Sequence, residues 1–270
     1  MVHQVGRQGG GFPGSGLATH KASSIALLLL LLGTPAWAQI GPPEPRAEQH
    51  GWSLGLGLHN ASSDWTPNDY NVNRNRIYFE GSYGFTDRVE AFGRAGISDW
   101  VINDIETYEP GMIRDVSTDG SPPGFLSCGI RGELWRFGNW TVGGSFEGGW
   151  YSGMRRYIRW NYDAYQELLF DPTFEMTAAL PVGRDVGRGV VYGGPLLHFG
   201  YNRLNVRTHE FGPDWDIEED IHALTIRDKG GCGGFLGWRT PLGENGWNLQ
   251  LEAAGLRGGF GGAIGFYRGW

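Results

Sequence analysis

The triplet Asp220-Ile221-His222 sets a carboxylate two residues from an imidazole, in an acidic stretch (207–230) that also holds Asp214 and Asp216. Residues two apart share a face on an extended segment, so the carboxylate can orient the imidazole as a general base. The plainer reading is a solvated acidic loop, so no catalytic residue is assigned, with Asp220 and His222 kept as the alternative. No Gly-x-Ser-x-Gly elbow supports acyl transfer. Cys128 and Cys232 lie far apart without CxxC or ligand spacing, so neither a metal nor a cofactor is expected.

A larger set of reactive groups recurs with a different logic. Arg76, Arg88, Arg94, Arg131 and Arg239, with Glu80, Glu90, Glu133, Glu147, Asp171, Glu175 and Glu252, all fall on one parity of alternating segments. Mixed signs on a shared face predict ion pairs and hydrogen bonds among themselves rather than a single reactive centre. His198 has the same parity and reads as a hydrogen-bonded interior histidine.

The elements that would position these groups are strands. From His50 onward the chain falls into runs of period two. Trp52, Leu54, Leu56 and Leu58 alternate with Ser53, Gly55 and Gly57; Val89, Ala91, Ala95 and Ile97 alternate with Arg88, Glu90, Arg94 and Ser98. Continued to Trp270, the pattern gives about ten strands of about ten residues (eight are possible), the length that crosses a bilayer when tilted. Short links at 86–87, 137–139, 183–189 and 243–246 alternate with long ones near 60–74, 99–122, 153–166 and 206–229, as short periplasmic turns alternate with long external loops. The fold expected is all-β: a closed, antiparallel, up-and-down transmembrane barrel. A soluble sandwich also alternates, but closure disposes of exposed edges. A barrel this narrow is nearly filled by its own side chains. Pro172 and Pro195 fall inside expected strands and predict a bulge or a shifted boundary.

Composition agrees: 47 glycines among 270 residues, against a usual share of about 7%, and 14% aromatics suit curved β structure. A net charge of -7 leaves no basic footprint for nucleic acid. Before the strands, Arg7 and Lys21 precede an apolar run from Ile25 to Leu32 and the small-x-small site Ala36-Trp37-Ala38. That order predicts a signal peptide, residues 1–38, cut after Ala38. Residues 39–50 are then expected as a periplasmic segment and 51–270 as the barrel.

The hairpin from Tyr83 to Gly96 and the terminus from Gly261 to Trp270 resemble small bacterial outer-membrane barrels of the opacity- and adhesin-like kind. The resemblance implies outer-membrane lipid, lipopolysaccharide and the insertion machinery as partners, and makes Phe266 and Trp270 the assembly signal. Asp220 and His222 are faintly similar to the Asp-x-His pair of omptin proteases, whose second acidic pair Asp99 and Asp104 would supply loosely. Arg155, Arg156, Arg159 and Trp160 form a basic, aromatic stretch suited to surface binding; its ligand is not encoded. The function expected is a filled barrel with a structural or surface-binding role, the alternatives being an omptin-like hydrolase or a narrow pore. Deleting Phe266 to Trp270 is expected to abolish assembly, seen as loss of the heat-modifiable band; an unchanged folded band in the truncated protein would contradict the assembly signal.

Overall fold

A computed structural model describes residues 39–66, 70–103, 122–159, 164–211, 217–228 and 231–270. Alternating side chains and glycine-rich turns produce fourteen strands and no helix among them. In chain order they are β1 (Trp52–Thr66), β2 (Tyr70–Thr86), β3 (Val89–Asn103), β4 (Gly124–Phe137), β5 (Trp140–Tyr151), β6 (Met154–Arg159) and β7 (Ala164–Phe170). Then follow β8 (Thr173–Ala179), β9 (Val182–Val186), β10 (Gly189–Phe211), β11 (Ile217–Asp228), β12 (Gly231–Pro241), β13 (Trp247–Leu256) and β14 (Gly259–Gly269).

These strands make one closed antiparallel barrel of ten staves. β1 to β5 run in sequence, β8 and β9 form the sixth stave end to end, and β10, β12, β13 and β14 complete the ring. β14 pairs with β1 from Gly269 opposite Ser53 to Gly259 opposite Ser63. The backbones of Trp52 and Trp270 exchange two hydrogen bonds of 3.0 Å at that seam. A one-residue slip anywhere would exchange the inner and outer faces, so register follows the hydrophobic pattern.

The outside of the wall is apolar. Leu54, Leu58, Phe79, Phe146, Phe199 and Leu236 are all exposed there, while Glu80, Glu90, Arg94 and Arg131 are buried inside. That is the inverse of a water-soluble fold and marks a membrane-spanning barrel.

The prolines sit where the staves break. Pro172 falls between β7 and β8, a shifted boundary. Pro195 stays within β10, opposite the gap between β8 and β9: Leu180 N donates to Pro195 O at 3.2 Å, and proline returns no N–H. The sixth stave is therefore interrupted at Leu180-Pro181.

Two sequence expectations need correction. Much of 60–74, 153–166 and 206–229 is strand, because hairpins continue past the barrel. Fourteen residue pairs join β1 to β2, from Trp52–Tyr83 to Trp65–Tyr70. β10 is 23 residues long; at about 3.3 Å per residue it is roughly 75 Å of strand, against a hydrocarbon core of about 30 Å. Its outer half carries β11 on one side and β7 with β6 on the other. The link expected over 183–189 is also shorter, with β9 continuing to Val186. Residues 104–121 lie outside the described set.

Leu58 faces outward near the middle of β1, opposite Ile77 and Ile264. Leu58→Arg is expected to cost about 2–4 kcal/mol of unfolding free energy measured in lipid vesicles. A change near zero, as an exposed leucine in water would give, would contradict a lipid-facing wall.

Candidate functional site: the occupied lumen

Residues 39–50 do not hang in the periplasm. They enter the barrel at its short-turn end and run up its interior. His50 adopts a positive φ of 59° where this segment turns into β1, with its N–H on Gly84 O at 2.8 Å. Gln39, Ile40 and Ala47 are buried. The Pro-rich sequence Gly41-Pro-Pro-Glu-Pro suits such an insertion, because each proline removes a donor that the lumen would otherwise have to satisfy.

Two wall carboxylates hold the backbone of this segment. Glu252, on β13, accepts the N–H groups of Ile40 at 2.7 Å and Gly41 at 2.6 Å. It also accepts from Tyr192 Oη at 2.6 Å and Gln250 Nε2 at 2.7 Å. Glu90, on β3, accepts the N–H groups of Arg46 and Ala47, both at 2.9 Å, and the hydroxyl of Ser82 at 3.0 Å. Arg94 Nη2 closes the other end by donating to Gln39 O at 2.5 Å.

Glu80 on β2 is the hub. Its carboxylate receives Arg94 Nε at 2.8 Å, Arg131 Nη2 at 2.6 Å and the guanidinium of Arg46 from the inserted segment. Arg131 also bridges to Glu90, and Arg94 reaches Glu147 Oε2 at 2.5 Å, where Ser127 Oγ donates at 2.6 Å. Arg46 additionally donates to Gln250 Oε1 at 2.5 Å and lies 3.5 Å above the Tyr267 ring centroid. A charge cut off from water needs a partner and satisfied hydrogen bonds; here the three partners of Glu80 arrive from β3, β4 and the inserted segment.

Toward the outer mouth the filling changes character. Glu175 on β8 receives Arg76 Nη2 at 2.7 Å, Tyr151 Oη at 2.9 Å and the guanidinium of Arg74. Above it Trp65, Val72, Phe125, Tyr151, Met154, Leu168, Phe170 and Leu204 form an apolar cluster. Phe170, which alternation places outward, is inside because it ends β7 rather than starting the sixth stave. His198 is buried, with Nδ1 2.9 Å from Thr177 Oγ1.

Most charges singled out in the sequence thus meet in the interior. Arg88 does not: its side chain is 68% exposed at the rim, 3.9 Å from Glu133, because β3 starts only at Val89. Glu133 pairs instead with Arg136 at 2.7 Å. Arg239 faces Glu44 of the inserted segment at 3.6 Å rather than a wall acid.

Asp220 and His222 lie in β11, in register with Thr208 and Val206 of β10, so they belong to a strand rather than a loop. Asp99 is in β3 and Asp104 lies outside the described residues. Arg155, Arg156 and Arg159 belong to β6, which pairs among the described residues with β7 alone; the Arg155 side chain is 57% exposed and 2.9 Å from Glu167. Trp160 lies outside the described residues. Phe266 and Trp270 are exposed on the outer wall. Cys128 and Cys232 are free and exposed, each lining an apolar groove in that wall. Among the described residues no cluster has the makings of a metal site.

Sequence reasoning missed Arg46 and Arg74; Tyr78, Tyr192, Gln250 and Tyr267 have inward parity in the sequence, but nothing there singles them out from other polar-face residues. One signal was present: seven inward acids faced five arginines, so further cations had to come from elsewhere. No protein-family model and no curated protein matches the sequence. Among solved structures, the chain is similar to the translocator domain of the autotransporter NalP from Neisseria meningitidis, at 15% identity and a TM-score of 0.43, over 94% of this chain and 96% of that one. It is also similar to the transport unit of the autotransporter AIDA-I from Escherichia coli, at 9% identity and a TM-score of 0.38, over 81% of this chain and 90% of that one.

Proposed function

We propose that the chain is a sealed barrel of the bacterial outer membrane, with a structural and surface-binding role rather than a transport or hydrolytic one. The observation that carries this is the pair of carboxylate clamps, Glu252 on the N–H groups of Ile40 and Gly41 and Glu90 on those of Arg46 and Ala47. A segment held through its own backbone at two places is part of the wall's hydrogen-bonding, so the lumen is occupied along its inner half. The aromatic and aliphatic cluster at the outer mouth fills the other half.

Among the described residues, the outer extension built from β6, β7, β10 and β11 is available for contact with the surroundings. An opacity- or adhesin-like role fits it. Among the described residues β6 pairs with β7 alone and carries Arg155, Arg156 and Arg159, and arginines at the outer surface suit the phosphates of lipopolysaccharide. The signal peptide and the closing strand β14 fit delivery to the insertion machinery.

Wild-type protein inserted into planar bilayers is expected to show no steady ion current. Deleting residues 40–47 strips four N–H donors from Glu252 and Glu90 and removes Arg46 from Glu80, so the temperature at which the folded gel band is lost should fall. Reproducible, size-selective current from the wild type would replace the sealed barrel by a narrow pore. An unchanged transition temperature in the deletion would show that the segment is not part of the folded wall.

A further inference from the structure

We propose that the mature chain begins with a pyroglutamyl residue at position 39, formed by ring closure of Gln39, and that Tyr78 and Tyr267 are the groups that polarise its side-chain amide. The proposal rests on leader cleavage after Ala38, which exposes the α-amino group of Gln39.

The two ends of the Gln39 amide are treated very differently. Its Oε1 accepts hydrogen bonds from both Tyr78 Oη and Tyr267 Oη. Its Nε2 is buried and has no hydrogen-bond partner among the described residues. A pocket built for glutamine would offer an acceptor to that nitrogen, since leaving a buried donor unmade costs about 1–3 kcal/mol. This pocket offers two donors to the oxygen and nothing to the nitrogen, which is the pattern a lactam carbonyl needs.

The pocket is built into the wall rather than left by chance. A Cβ on Gly265 would lie 2.5 Å from Gln39 Nε2, and one on Gly57 would lie 2.3 Å from the Tyr78 ring. Glycine at both positions keeps open the space in which the phenols converge on the amide.

The α-amino end supplies the second argument. The Arg94 guanidinium donates to the carbonyl of Gln39 itself at 2.5 Å. An ammonium on the same residue would stand two bonds from the carbonyl carbon whose oxygen that cation holds. The nearby carboxylates are already engaged, Glu80 by three arginines and Glu252 by two backbone N–H groups, Tyr192 and Gln250. A neutral end removes this conflict, because desolvation and a like charge both disfavour the charged form.

Ring closure balances without any further reagent. The α-nitrogen lone pair attacks Cδ, and charge collects on Oε1, where the two phenols donate. The Cδ–Nε2 bond then breaks, a proton passes from the α-nitrogen to Nε2, and ammonia leaves. Donors aimed at the developing oxyanion are the groups that accelerate such a step.

The test is mass spectrometry of the N-terminal peptide of protein purified from outer membranes, with chemical labelling of free α-amines. The expected result is a peptide starting at residue 39, one ammonia lighter than the glutaminyl form and resistant to labelling. In pulse–chase samples, Tyr78→Phe with Tyr267→Phe should slow ring closure by on the order of a hundredfold; if that pair does not assemble, Tyr267→Phe alone is compared. A labelled, uncyclised Gln39 in the wild type overturns the proposal. A peptide beginning elsewhere removes the cleavage on which it rests. Equal rates in wild type and variant overturn the part played by the phenols.

Discussion

An ion facing the inside of a narrow closed wall has no bulk water to turn to, and the architecture follows from that constraint. Glu80 shows it best. It is almost fully buried and shared by Arg46, Arg94 and Arg131, which come from the inserted segment, β3 and β4. Removing one member of a buried pair typically costs about 3–5 kcal/mol, since the remaining charge is stranded. The inward charges on β2, β3 and β4 therefore enforce the register of those staves. They also require a cation that the wall does not supply at this level, and Arg46 brings it.

The segment that carries Arg46 is consequently part of the fold. Its N–H groups complete Glu90 and Glu252, its arginine completes Glu80, and its Glu44 faces Arg239. The outer half of the lumen is filled by other means, with Trp65, Met154, Leu168 and Phe170 packed together beyond the Arg76–Glu175 pair. Ion pairs fill the barrel at one end and apolar packing fills it at the other.

Much of this was legible in the sequence because two faces of one wall meet opposite solvents. Leu54, Leu56 and Leu58 against Ser53, Gly55 and Gly57 could only be a strand, and the parity of Glu80, Arg94 and Arg131 places them inside. What stayed hidden was whatever alternation does not encode. The inserted segment has no period, and Gly41-Pro-Pro reads equally well as a linker. Phe170 has the outward parity of the sixth stave yet lies inside at the end of β7, because the break at Asp171-Pro172 resets the pattern. Arg88 kept the inward parity of β3 but lies one residue before that strand starts, at the rim. Continuation of β10 past the membrane was masked by the charged residues of 206–229, which look like loop and pair as strand.

The central claim is that residues 39–50 occupy the barrel, and a disulfide trap tests it most directly. Pro43 packs on Gly183 of β9, where an added Cβ would lie 2.8 Å from Pro43 Cγ; Pro43→Cys clears that space. With Cys128 and Cys232 replaced by alanine, Pro43→Cys and Gly183→Cys in protein assembled in native outer membranes should oxidise to an intramolecular disulfide, within the reach such a bond allows. Two thiols that stay separate and label freely from the periplasm, in a barrel that remains folded, would contradict the account.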